Sequence, residues 1–134
     1  MKVLVVCTGN SCRSQMAEAF LNQMEGVEAK SAGTHPEVVN PNAVAVMEEV
    51  GIDIGLKASN HVDEFANEEF DYVITVCDHA GHNCPVFPGA GQRIHESFED
   101  PAKATEANED VLDKFREVRD LIRLYVSRFV VENN

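Results

Sequence analysis

Cys7, Arg13 and Ser14 stand in a spacing, Cys-x5-Arg-Ser, that suits chemistry on a tetrahedral oxyanion. The run Val3-Leu4-Val5-Val6-Cys7-Thr8-Gly9-Asn10-Ser11-Cys12-Arg13-Ser14 predicts a short buried strand, a polar loop and the start of a helix. A strand-to-helix loop points backbone N–H groups inward, and the helix N-terminus adds the positive end of its dipole. Such a nest holds an oxyanion, which makes Thr8, Gly9, Asn10, Ser11, Cys12 and Arg13 candidate binding residues. Arg13 can close the nest with a planar, always-charged fork. The same field favours a thiolate on Cys7, since a free thiol that titrates at about 8.5 falls by several units beside a helix N-terminus and a cation. Ser14 can add a hydroxyl hydrogen bond to that sulfur. An ordinary buried cysteine beside a surface arginine is the plainer alternative, and Gly9, Asn10, Arg13 and Ser14 together argue against it.

Two further thiols follow, in Cys77-Asp-His-Ala-Gly-His-Asn-Cys84-Pro. Cys77 ends a predicted strand parallel to the first, so it can approach Cys7. Cys84 lies in the loop beyond, and six intervening residues leave slack for a bridge if the loop refolds. Metal binding through Cys77, His79, His82 and Cys84 is a rival reading, but Cys-x-His-x2-His-x-Cys is not a usual zinc spacing. The histidines also read as solvated loop residues. Cys12, five residues from Cys7, reads as a dispensable loop thiol or as a partner in a protective disulfide.

The elements that must position these groups alternate in type. Ser14 to Met24 is a predicted helix with Ala17, Phe20, Leu21 and Met24 at helical spacing. Val27 to Ala32 is a predicted strand closed by Gly33. His35 to Asn40 is loop, and Asn40-Pro41 opens a second helix with Asn as cap and Pro in the first turn. Residues 52 to 61 carry no clear period, and Asn60 or His61 opens a short helix through Val62, Phe65 and Ala66. Asp71 to Cys77 is a β-branched, nearly continuous apolar run, as expected of a strand buried on both faces. Asp78 to Gln92 is a long loop with three glycines and two prolines, of a length usually tied to function. Arg93 to Phe98 is a last predicted strand, followed by a Glu99-Asp100-Pro101 turn. Asn108 or Asp110 then caps a long helix whose Val111, Phe115, Val118, Ile122, Tyr125 and Phe129 form one apolar stripe.

At 134 residues, 1–134 is expected to be one domain. The net charge of −12 argues against nucleic acid and anionic membrane as partners, so an oxyanion must be held by local dipoles and Arg13. The N-terminus shows no signal-peptide pattern, and no run approaches the roughly 20 apolar residues of a membrane span. A cytoplasmic protein with reduced thiols is expected, and all four cysteines fall in two clusters, which favours catalysis, redox chemistry or metal binding over structural bridging.

Cys7 to Glu18, Cys-Thr-Gly-Asn-Ser-Cys-Arg-Ser-Gln-Met-Ala-Glu, resembles the low-molecular-weight protein tyrosine phosphatase superfamily. Its closest likeness is to the thioredoxin-coupled arsenate reductase branch. Phosphatases of the superfamily usually carry Pro where Gln15 stands. The Ser31-Ala32-Gly33 turn, the Cys77-x6-Cys84 pair followed by Pro, and Asp100-Pro101 extend the resemblance over nearly the whole chain. It implies an α/β single-domain three-layer sandwich: a four-stranded parallel sheet, order 2-1-3-4, with helices on both faces. The Cys7 loop then lies at the carboxyl end of the first strand, where open α/β sheets bind ligands.

The resemblance also implies roles. Cys7 attacks arsenate held by the loop and Arg13, and Asp100 serves as the general acid a departing oxygen requires. Cys77 and then Cys84 carry the oxidation away as successive disulfides, and thioredoxin restores the dithiol. Phosphate or sulfate competes for the loop. The aromatic that commonly follows Asp-Pro in phosphatases is Ala102 here, which suits a small inorganic oxyanion better than phosphotyrosine. No organic cofactor is implied. A potassium ion is, with Asn10, Glu18 and Ser31 matching three ligand positions and Asn60 falling where an acid usually stands. A monomer is expected. The competing readings are a low-molecular-weight tyrosine phosphatase with Cys77 and Cys84 idle, and a non-catalytic thiol sensor or oxyanion-binding protein.

Overall fold

The computed structural model describes residues 1–76, 90–102 and 110–133. Cys77, His79, His82 and Cys84 lie outside the described residues, and with them the expectations placed on that segment.

Four strands form one sheet: β1 (Lys2–Cys7), β2 (Glu28–Gly33), β3 (Phe70–Thr75) and β4 (Ala90–His95). Their order is β2-β1-β3-β4 and every pairing is parallel, as the resemblance implied. β1 is central and Val3, Leu4 and Val5 are wholly buried, which is why its apolar residues run continuously instead of alternating. Each such side chain contributes about 1.5–3 kcal/mol by leaving water.

Three α-helices are described: α1 (Arg13–Asn22), α2 (Pro41–Glu48) and α3 (Val111–Asn133). Their buried faces meet Val3, Val5, Cys7 and Ile74 in one core. On the other face Leu4, Val6, Ala32 and Val73 pack with Val62, Phe65 and Phe70, the first two of which come from a short 3₁₀ helix, Val62–Phe65. The caps follow the sequence. Asn40 Oδ1 accepts from Asn42 N at 2.8 Å, with Pro41 in the first turn. His61 accepts from Asp63 N, and Asp110 accepts from Asp113 N at 3.2 Å.

Some boundaries move. α1 begins at Arg13 and stops at Asn22, two residues short of Met24, and Gly26 takes a left-handed φ of 81° before β2. β4 starts at Ala90 and ends at His95, where the sequence pointed to Arg93–Phe98. It pairs only with β3 and is largely exposed, so Gly91-Gln92-Arg93 carries no apolar signature. The whole of α1 from Arg13 to Leu21 is buried, polar residues included. Glu18, whose plainest sequence reading is a solvated carboxylate, is 5% exposed.

Candidate active site

The loop from Thr8 to Cys12 leaves the carboxyl end of β1 and enters α1. Its carbonyls are claimed from outside. Thr8 O accepts from His35 N at 2.9 Å, Gly9 O from Glu37 N at 2.8 Å and Ser11 O from Asn40 N at 2.8 Å. Asn10 O accepts from Ser59 Oγ at 2.9 Å and from Gln15 Nε2 at 3.1 Å. A trans peptide points its N–H opposite its C=O, and no cis bond is described. Fixing four carbonyls outward therefore aims the amides of Gly9, Asn10, Ser11 and Cys12 at the other side of the loop. Cys12 places no side-chain cap on α1, and the first turn carries no acid. The helix N-terminus is thus left to an exogenous anion.

Gly33 makes this arrangement possible. It pairs with Cys7 across β1 and β2, and a Cβ there would stand 2.5 Å from Thr8 O and 3.0 Å from Asn10 N. Behind the loop, Asn10 is wholly buried with a φ of 49°. Its Nδ2 donates to Ser14 Oγ at 2.8 Å and its Oδ1 accepts from Asn60 N at 2.9 Å. Ser14 Oγ therefore accepts, which leaves its own proton for another acceptor such as the Cys7 sulfur.

Cys7 is buried at the strand end, 5% exposed. Arg13, also buried, donates from Nη1 to Phe98 O at 2.9 Å, and its Nη2 lies 3.7 Å from Asp100 Oδ2. The structure thus brings Arg13 and Asp100 to the same edge of the loop from positions 87 residues apart. Asp100 Oδ1 accepts from Ala102 N at 3.0 Å, and Lys114 Nζ on α3 meets Glu99 Oε2 at 2.8 Å, which steadies the turn. The Cys12 thiol is pushed up by burial, and next by the Asp100 carboxylate. It stays protonated near neutral pH.

Glu18 Oε1 accepts from Ser31 Oγ at 3.3 Å, and the Lys57 ammonium meets Glu18 Oε2 at 2.8 Å. Asn10 Oδ1 is taken by Asn60 N, and Asn60 Nδ2 faces Ser31 O at 3.4 Å. The oxygens that the resemblance offered to potassium are engaged with protein donors, and a lysine supplies the positive charge that Glu18 requires. These residues do not fit an added metal cation. Among the described residues no group of three or more His, Cys, Asp or Glu side chains is placed to hold a metal.

Cys7, Thr8 to Arg13, Ser14 and Asp100 therefore gather at one place. Lys57, Ser59, the 34–40 segment and the Phe98 carbonyl were not anticipated. Their contributions are main-chain atoms or come from 52–61, which has no period to read. Gln15 was noticed only as a departure from proline, although a glutamine beside the motif on a helix with few charges was a signal.

A parallel α/β sheet whose first strand ends in an outward-strapped, amide-lined loop, with an arginine and a carboxylate converging on it, defines an oxyanion-handling enzyme of phosphatase type. The family model for low molecular weight phosphotyrosine protein phosphatase matches residues 2–132, and the chain belongs to that family. It is 43% identical over 129 residues to an arsenate reductase of Halalkalibacterium halodurans, covering 95% of this chain and 93% of that one. It is 44% identical over 122 residues to an arsenate reductase of Bacillus subtilis, covering 90% and 88%. A solved structure described as an arsenate reductase in the phosphate binding state superposes with a TM-score of 0.80 at 33% identity, over 99% of this chain and 98% of that one.

Proposed function

We propose that this chain reduces arsenate to arsenite. The Cys7 thiolate attacks arsenic(V) held by the loop amides and Arg13, and Asp100 gives a proton to the departing oxygen. The Cys77 thiolate then attacks the Cys7 sulfur. The sulfur–arsenic bonding pair passes to arsenic, arsenite leaves, and the two sulfurs, having lost two electrons, form a Cys7–Cys77 disulfide. Cys84 attacks Cys77 and frees Cys7. The Cys77–Cys84 disulfide is reduced by thioredoxin through dithiol exchange. Lys57 stands in for a cation behind the loop, and no step passes through a metal. The reading extends to a single domain over 1–134, a monomer, and a reducing compartment such as the cytoplasm. Among the described residues no helix is long and apolar enough to cross a membrane.

The observation that carries the reductase reading is the junction of β1 with β3. Val76 N donates to Val6 O at 3.0 Å, so Val76, the residue before Cys77 in sequence, is held against the strand that ends in Cys7, which supports a role for the thiol that follows it. The identity of the curated relatives and the small Ala102 after Asp100-Pro101 support the same substrate class. The deciding experiment couples arsenate turnover to thioredoxin and, separately, to glutathione with glutaredoxin. Thioredoxin is expected to sustain turnover, and Cys84→Ser to stop it after one cycle while slow hydrolysis of a small aryl phosphate persists. Undiminished arsenate turnover by Cys84→Ser removes Cys84 from the scheme.

A further inference from the structure

Gln15 is 1% exposed and sits in the first turn of α1 with its side chain turned back onto the loop. Its Nε2 lies 3.1 Å from Asn10 O, 3.3 Å from Asn10 Oδ1 and 3.2 Å from Ala58 O. Its Oε1 is buried with no hydrogen-bond partner among the described residues. Such an orphan is costly to bury, and in a native structure it calls for a reason.

Stability is not that reason. Asn10 O keeps Ser59 Oγ, and Asn10 Oδ1 keeps Asn60 N, if Gln15 is removed. Ala58 is exposed, so water can take its carbonyl. An apolar side chain of the same length would strand no acceptor and would eliminate the orphan. What only Gln15 supplies is an amide that grips both oxygens of Asn10 at once. Asn10 holds a left-handed φ of 49°, a conformation asparagine tolerates better than other side-chain-bearing residues and which its neighbours must still select. The direction of its carbonyl sets the direction of the next amide, and its Nδ2 sets Ser14 Oγ.

We propose that Gln15 is a positioning residue, acting through Asn10 to aim the Ser11 amide and the Ser14 hydroxyl at the oxyanion and at Cys7. This rests on the reading of Cys7 as the nucleophile, but its test does not use arsenate turnover. The orphaned carbonyl is then the penalty accepted for an amide in that place, and the fold gives up some stability to keep the loop set.

The test uses the full chain with inorganic phosphate as probe, plus the pH dependence of Cys7 alkylation by iodoacetamide, read by peptide mapping. Gln15→Met is expected to keep or raise the melting temperature. Its phosphate affinity should fall about tenfold, the scale on which slight misplacement within a site acts, and the alkylation midpoint should move to higher pH. Combined with Asn10→Gly, the losses should be strongly non-additive, as for residues acting through one another. If Gln15→Met does not fold, Gln15→Glu decides, since it keeps the shape but presents oxygens to oxygens, and should lose phosphate affinity likewise. Wild-type phosphate affinity and an unmoved alkylation profile in the folded variant overturn the proposal, as do additive losses in the pair. Failure of the wild type to turn over arsenate would instead strike at the reductase reading and leave these measurements interpretable.

Discussion

At Gly33 the absence of one carbon decides whether the loop exists. A Cβ there would meet two backbone atoms, Thr8 O and Asn10 N, neither of which can swing aside as a side chain would. Gly33→Ala is therefore expected to destabilise the protein by about 1–3 kcal/mol and to weaken phosphate binding with it. Thermal melting and phosphate titration check both, and an alanine variant with wild-type affinity would show that the loop is more compliant than the distances imply. The residues that do local work were readable: Cys7, Arg13 and Ser14 follow from spacing, because a nest is built from consecutive backbone. Lys57 and Ser59 were not, because their value lies in reaching Glu18 and Asn10 from a segment with no repeating pattern.

At the scale of elements, α3 holds the acid turn as well as the core. The Phe98 ring packs edge-on to Tyr125 at 5.8 Å between centroids, and Tyr125 stacks on Phe129 at 6.2 Å. The Phe98 carbonyl is the one that Arg13 grips. Burial, and then the carboxylates of Glu96 and Glu132, push the Tyr125 hydroxyl up to about 12 from its ordinary 10.0. The protonated form is thus the one the fold favours. The stability this contributes is complete below about pH 10 and is lost as pH climbs toward 12. Absorbance titration should show a tyrosine midpoint near 12, and Tyr125→Phe should abolish it. Absence of a midpoint near 12 would mean that Tyr125 is not buried against Phe98. The α3 stripe was plain in the sequence because its apolar positions repeat on one face, and Phe115, Val118, Ile122 and Phe129 of it are buried while Val111 and Tyr125 are half-buried. β4 was mislocated because an exposed edge strand need not alternate.

For the whole molecule, a net charge of −12 surrounds a site built for an anion. Long-range repulsion is screened over a Debye length of about 8 Å at physiological salt, while buried dipoles are screened far less. Phosphate affinity is therefore expected to rise about twofold as sodium chloride goes from low to physiological concentration. Weakening instead would mean that exposed positive charge draws the ligand in. Composition foretold this balance and alternation of elements foretold the sheet. The strand order came from the motif resemblance, since nothing in apolar periodicity ranks neighbours.

The struts that set the loop arrive late in the chain. Asn60 lies 50 residues beyond Asn10, and Phe98 lies 85 beyond Arg13. Cys7 is synthesised before these supports. On an emerging polypeptide that sulfur is chemically ordinary, and it gains its bite only when translation has delivered Asn60 and then Phe98.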